Sequence, residues 1–240
     1  MLFDNFVTFN KDNLDLYLKE LAKEYRKING TKMPAEIILV GGAAVLANYG
    51  FRDMTMDIDA IIRASSAMKE AINNIGDKCN LPNGWLNSDF TKTSSYSSKL
   101  VQYSMYYKKF ANILEVRTIS AEYLVAMKLK SGRKYKNDRS DVIGILAHHK
   151  SKNEPLTKEK ITVAVNNLYG GWDCFSQEDI EFINYALESN NSDILYKETL
   201  TDEAKTKEQL VRFENPYPDT VNKNNISDII NQLKNKKDKT

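Results

Sequence analysis

Two glycines, Gly41-Gly42, and two carboxylates one residue apart, Asp57-Ile58-Asp59, are the residues of this chain whose types and spacing could do chemistry. The glycines close an apolar run, Ile37-Ile38-Leu39-Val40, that reads as a buried strand. The aspartates open a second run, Ile58 with Ala60, Ile61 and Ile62. Residues i and i+2 of a strand face the same way, so Asp57 and Asp59 would stand side by side. Like charges that close repel unless a cation sits between them. Mg²⁺ is the usual solution, because it takes a few carboxylate oxygens and leaves other positions for phosphate and water. The glycine pair lets backbone N–H groups reach a phosphate with no Cβ in the way. Metal on one side and a phosphate cradle on the other point to phosphoryl or nucleotidyl transfer.

Lys128 stands out among the lysines. On a helix over Ala121–Ser131 it shares a stripe with Ala121, Leu124 and Val125, so it must either snorkel to the surface or meet an anion. Asp138 and Asp141 open the next helix, where the dipole favours acids whatever else they do. Arg52 and Thr55 either bind a triphosphate or fix the loop before the second strand. Lys130, Arg133, Lys134, Lys136 and Arg139 form a basic cluster, either solvated surface charge or a means of steering a nucleotide or RNA.

Gly41-Gly42-Ala43-Ala44 followed by Gly50-Phe51-Arg52-Asp53-Met54-Thr55-Met56-Asp57-Ile58-Asp59 resembles the signature of the DNA polymerase β-like nucleotidyltransferase superfamily. The Arg-x-x-Thr-x-Asp-Ile-Asp form is most similar to the bacterial branch that includes the AbiE-like toxins of toxin–antitoxin systems. A weaker match, Ile119 to Leu124 through Lys128 to Asp138 and Asp141, extends the resemblance across roughly the first 150 residues. The resemblance implies Mg²⁺ (or Mn²⁺) on Asp57 and Asp59, phosphates on Gly41 and Gly42, and Lys128 on the nucleoside triphosphate. It implies a further functional aspartate near the second helix start, for which Asp141, on the side of Ile145, is favoured. Sites of this type usually take a third carboxylate from a neighbouring strand. Glu115 is the candidate: if Leu114 and Val116 face the core, it faces the cleft; otherwise it is an edge-strand ion pair. An RNA end, particularly tRNA, is the acceptor the toxin resemblance implies. An aminoglycoside-type small molecule or a protein hydroxyl follows, and an antitoxin is an implied partner. The rival is a non-catalytic nucleotide-binding or antitoxin module.

These residues need elements to hold them. A helix from Asn13 to about Ile28, strand Glu36–Val40, helix Ala43–Asn48, strand Asp57–Ile62 and helix Ser65–Ile75 follow from periodicity and capping. Asp77 to Ser98 is polar and turn-rich and reads as loop. Val101–Tyr107 and Asn112–Arg117 read as a hairpin around residues 108–111. Helices then take over at Ala121–Ser131, Asp138–His149, Lys158–Leu168 and from Ser176 to Glu188. After Asn190 the chain is rich in Asn, Lys, Asp and Thr, with Asn215-Pro216-Tyr217-Pro218, a short helix at Ser227–Leu233 and a frayed end over Asn235 to Lys239. Strands early and helices late predict an α+β protein. The reading is a nucleotidyltransferase fold with a small mixed sheet flanked by helices over 1–118, then a helical domain over 119–240.

With 240 residues, 42% hydrophobic and 28% charged, the chain has the make-up of a soluble globular protein. A net charge of +2 argues against a strongly basic nucleic-acid binder but leaves room for a local patch. Cys79 and Cys174 are too few for a disulfide framework or zinc site. No stretch reaches 18 apolar residues and the N-terminus does not read as a signal peptide, so the expectation is a cytoplasmic protein without membrane partners.

Overall fold

A computed structural model describes residues 7–216, 220–222 and 225–237. Tyr217 and Pro218 of the proline-rich stretch, and Asp238 and Lys239 of the Lys-rich end, lie outside them. The first helix, α1 (Lys11–Asn29), is capped by Asn10, whose side chain accepts from the backbone of Asp12 and Asn13. It buries Leu14, Leu18, Leu21 and Tyr25, one face at helical spacing, and packs on α3 (Ala67–Cys79). Strand β1 (Ala35–Leu39), the middle strand of five, has both edges paired, and its successive residues Ile37, Ile38 and Leu39 are buried on both faces. The order is β3-β2-β1-β5-β4, with β2 (Ile58–Arg63), β3 (Leu86–Asn87), β4 (Ser104–Phe110) and β5 (Leu114–Ile119). β1 runs antiparallel to β2 and parallel to β5; β4 returns antiparallel on β5. The five-stranded mixed sheet flanked by helices, with helices thereafter, is the predicted architecture.

Three local expectations need correction. β2 starts at Ile58, so Asp57 stands in the bend just before the strand. The hairpin turns at Ala111-Asn112, both with positive φ (47° and 54°), the signature of a two-residue turn matched to sheet twist. β4 therefore runs to Phe110 and the expected first hairpin strand is displaced. Finally, the segment read as loop from Asp77 to Ser98 carries the end of α3, β3 and a 3₁₀ turn over Asp89–Lys92.

Helix α2 (Gly41–Asn48) links β1 to the loop before β2. α4 (Ala121–Ser131) is apolar nearly all round and lies in the interior between α5 (Asp138–Ser151) and α6 (Lys158–Tyr169). α7 (Gln177–Glu188) follows, then α8 (Ser192–Glu214), a 23-residue helix in a stretch of the helical part where the sequence marks no element before Ser227. Its pattern is hidden because its buried positions include Glu203 and Thr206 beside Leu210. α9 (Ile226–Lys237) packs on α8. One buried apolar cluster runs from Phe9 to Ala186, so the core crosses residue 118 without a break. No helix among the described residues is long and apolar enough to cross a membrane.

The core also fixes the loop that carries Arg52. The Phe51 ring lies over Gly144 of α5, where an added Cβ would come within 2.4 Å of it. Tyr49 and Tyr196 hold that ring from two other sides, leaving it little freedom to retreat. Gly144→Ala is therefore expected to lower stability by about 2–3 kcal/mol through overpacking, read as a fall in urea midpoint at unchanged m-value.

Candidate active site

The C-terminal end of β1, the start of β2, β3 and the α4–α5 junction meet around a cleft of about 210 Å³. Gly41, Asp57, Asp59, Lys128, Arg133, Lys136 and Asp138 line it. Glycine at 41 meets a backbone demand, since its φ is +55° where the chain leaves β1. The N-cap of α2, Val40, offers no side-chain acceptor, and no acid occupies the first turn. A helix start left in that state presents its free N–H groups to an anion.

Asp59 is half-buried and Asp57 exposed. Burial, then the neighbouring Asp57 charge, push the Asp59 carboxyl above the usual carboxylate range, while Lys136, Arg133 and Lys128 pull the other way. Among the described residues neither carboxylate accepts a hydrogen bond or makes an ion pair. Two such carboxylates facing a cleft fit Mg²⁺, which keeps water and substrate oxygens in its remaining positions. No group of three or more His, Cys, Asp or Glu placed to hold a metal occurs among the described residues.

Lys128 meets two anions and does not snorkel. Its Nζ lies 2.9 Å from Asp138 Oδ1 and 2.8 Å from Asp141 Oδ2, with its side chain 5% exposed. Burial works against the ammonium, but Asp138 and Asp141 outweigh it and its pKa is raised. Burial likewise works against an ionised Asp138, yet Lys128 and Arg133 hold its carboxyl well below the usual range. Arg133 Nε donates to Asp138 Oδ2 at 2.8 Å, and Arg52 Nη1 donates to Asp141 Oδ2 at 2.5 Å. The result is a continuous chain, Arg133–Asp138–Lys128–Asp141–Arg52, buried at its three central residues and partly exposed at Arg133.

That chain separates the expected site residues into two shells. Gly41, Asp57, Asp59 and Lys128 line the cleft. Gly42, Arg52, Thr55 and Asp141 sit behind it. A Cβ on Gly42 would lie 2.7 Å from Thr55 Oγ1 and 2.9 Å from Arg52 Nη2, so the second glycine exists to admit these side chains. Thr55 is buried and its backbone exchanges two hydrogen bonds with Phe9, while Arg52 also donates to the Met54 carbonyl. Gly42→Ala is expected to displace Arg52 from Asp141, costing about 1–3 kcal/mol. Thermal unfolding with and without nucleotide checks it.

Glu115 is not brought to the cleft. It is on the expected face, since Leu114 and Val116 are buried, but at the wrong end. It pairs in register with Glu36 of β1, whereas Asp59 lies level with Val40, four residues and roughly 13 Å along the strand. There it makes an ion pair with Arg117 at 3.0 Å. Of the two acids opening α5, it is Asp138 and not the favoured Asp141 that lines the cleft, and the cleft gains Asn87, Phe90, Thr93 and Ser95 from the segment read as loop. For the residues of that segment no periodic signal existed.

The family described as nucleotidyltransferase of unknown function (DUF6036) matches residues 17–158, more than half of the 240. The chain belongs to it. Every cleft residue named above falls inside the matched span, and α7, α8 and α9 fall outside it. No curated protein and no solved structure matches the chain. In this chain, the cleft is the place where carboxylates, cations and a glycine-opened helix start converge.

Proposed function

We propose that this nucleotidyltransferase is metal-dependent and moves a nucleoside monophosphate from an NTP to an acceptor hydroxyl. The acceptor oxygen attacks the α-phosphorus, the bond to the β-phosphate oxygen breaks, and pyrophosphate leaves. The observation that carries this reading is the pairing of two carboxylates without protein donors against a wall of Lys128, Arg133 and Lys136 in one cleft. Asp57 and Asp59 would hold Mg²⁺ or Mn²⁺, which supplies a lower pKa for the attacking hydroxyl and charge neutralisation on the triphosphate. Gly41 and the first N–H groups of α2 would take phosphate oxygens, and Lys128, fixed by its two acids, would offset their charge. In this reading the carboxylates come from the catalytic part, 1–118, and the cations from the helical part, 119–240.

RNA, tRNA in particular, is the acceptor favoured by the resemblance to the AbiE-like toxins, with a toxin role and an antitoxin partner as its corollary. An aminoglycoside-type small molecule is the next acceptor class. A second reading, a non-catalytic nucleotide-binding or antitoxin module, is favoured by one observation: Glu115 is far from Asp59, so the cleft has no third carboxylate from the neighbouring strand. Incubation with Mg²⁺, each α-labelled NTP and total tRNA separates the readings. Label transfer that disappears in an Asp57→Ala/Asp59→Ala control supports the enzyme. Nucleotide binding with no transfer to RNA, protein or aminoglycoside supports the module.

A further inference from the structure

We propose that Glu203 of α8 is a positioning residue for Lys128: it closes the N-terminus of α5 and thereby ties the docking of α8 to the cleft. A helix start leaves its first N–H groups without partners, and a side chain at the N-cap normally satisfies them. In α5 the N-cap residue, Asn137, makes no such bond. Glu203, 5% exposed and more than sixty residues away in the chain, does so instead. Its Oε1 accepts from the Arg139 N–H at 2.9 Å and the Ser140 N–H at 3.4 Å, and its Oε2 accepts from Ser140 Oγ at 2.5 Å. The turn held in this way carries Asp138 and Asp141, the two acids that grip Lys128. α8 lies beyond the family-matched span, so this contact belongs to the chain's own C-terminal half. The role in nucleotide binding rests on the reading of the cleft as the NTP site.

The contact is also pH-sensitive. Burial pushes the Glu203 carboxyl up to about 7 against the bonds from Ser140 and Arg139, with Asp141 adding to the rise. The groups around it are Arg139 and Asp141 of α5; Glu178 and Asp179 of α7, acting through Arg139; and Tyr196 of α8, which donates to the Phe51 carbonyl. Asp228 of α9 is exposed. The docked carboxyl binds its proton more tightly than an undocked one of ordinary pKa near 4.5. Docking is therefore strongest below about pH 4.5, weakens as pH rises to about 7, and is level above that. The whole change amounts to roughly 10²- to 10³-fold in the docking constant.

The test uses the full chain and three variants. Glu203→Gln keeps an acceptor for the Arg139 N–H without a titrating group, Glu203→Ala removes the cap, and Ser140→Ala removes one hydrogen bond. We expect the fall in stability between pH 5 and 7 to disappear in Glu203→Gln. The Glu203 midpoint, followed by carboxyl ¹³C NMR, should move up in Ser140→Ala, a readout available even where Glu203→Ala does not fold. The Lys128 side-chain NMR signal should shift in Glu203→Ala and return in Glu203→Gln. Calorimetry with Mg²⁺ and each of the four NTPs should show at least tenfold weaker binding in Glu203→Ala, restored in Glu203→Gln. An unmoved Lys128 signal, or an unchanged pH–stability slope in Glu203→Gln, overturns the proposal. Wild-type chain that binds no NTP overturns the reading of the cleft, whereas wild-type binding equalled by Glu203→Ala overturns only the role of Glu203.

Discussion

Asp59→Asn, or Asp57→Asn, is expected to lower nucleotidyl transfer by about 10²–10³-fold or more with no loss of fold stability. The two effects come from one cause. The Asp59 carboxyl is half-buried beside a second acid, so its pKa is raised and its ionised form is a cost to the folded protein near neutral pH. A group of raised pKa favours the folded state below its unfolded pKa and ceases to do so as pH climbs through the folded value. The neutral amide removes that cost, so the variants should melt at or above the wild-type temperature while failing to hold the cation. Acids whose pKa is shifted by burial and a like charge in a cleft cluster at functional sites. Label transfer and a thermal melt on the same preparation check both halves. A variant that loses stability and keeps transfer contradicts the assignment.

Lys128→Met is expected to lose both stability and nucleotide binding. Asp138 and Asp141 have side chains 1% and 3% exposed, and each counts Lys128 among its partners within 3 Å. Removing one partner from a buried ionic cluster leaves charge uncompensated, which typically costs about 3–5 kcal/mol. Arg133 on Asp138 and Arg52 on Asp141 remain, so the lower end of that range applies. The pH dependence has a definite sign. Because the wild-type Asp138 pKa is depressed, its contribution is present above the ordinary carboxylate pKa near 3.8 and is lost as pH falls further. In Lys128→Met that contribution is smaller at neutral pH, so the gap between wild type and variant should narrow on acidification. Urea unfolding at pH 7 and at about pH 3, below the ordinary carboxylate value, measures it.

Much of the fold and the nucleus of the site could be read from residue order alone. The Gly41-Gly42 turn after the apolar run Ile37 to Val40, and the Asp-x-Asp at the edge of the next strand, are short-range patterns set by backbone geometry, and α1, α4 and α5 follow from periodicity. What escaped detection depends on long-range pairing. Whether Glu115 reaches the cleft is a matter of strand register: its face is set by alternation, but its height is set by pairing with β1, which no local pattern encodes. The second glycine reads as part of a phosphate cradle because it carries no Cβ, yet the limit on its size comes from Arg52 and Thr55 folding back against it. α8 was missed because a buried glutamate takes the place of an apolar residue on its inner face, and the partner that makes this tolerable is the start of a distant helix. Asn87, Phe90, Thr93 and Ser95 reach the cleft through a two-residue strand and tight turns, too short to leave a period.

The most direct measurement is a crystal structure of the chain grown with Mg²⁺ and a non-hydrolysable NTP analogue. The account predicts cation density bridging Asp57 and Asp59 to the phosphates, with phosphate oxygens on the Gly41 turn and beside Lys128. An analogue bound at another surface, or a cleft holding nothing at saturating nucleotide, would contradict it.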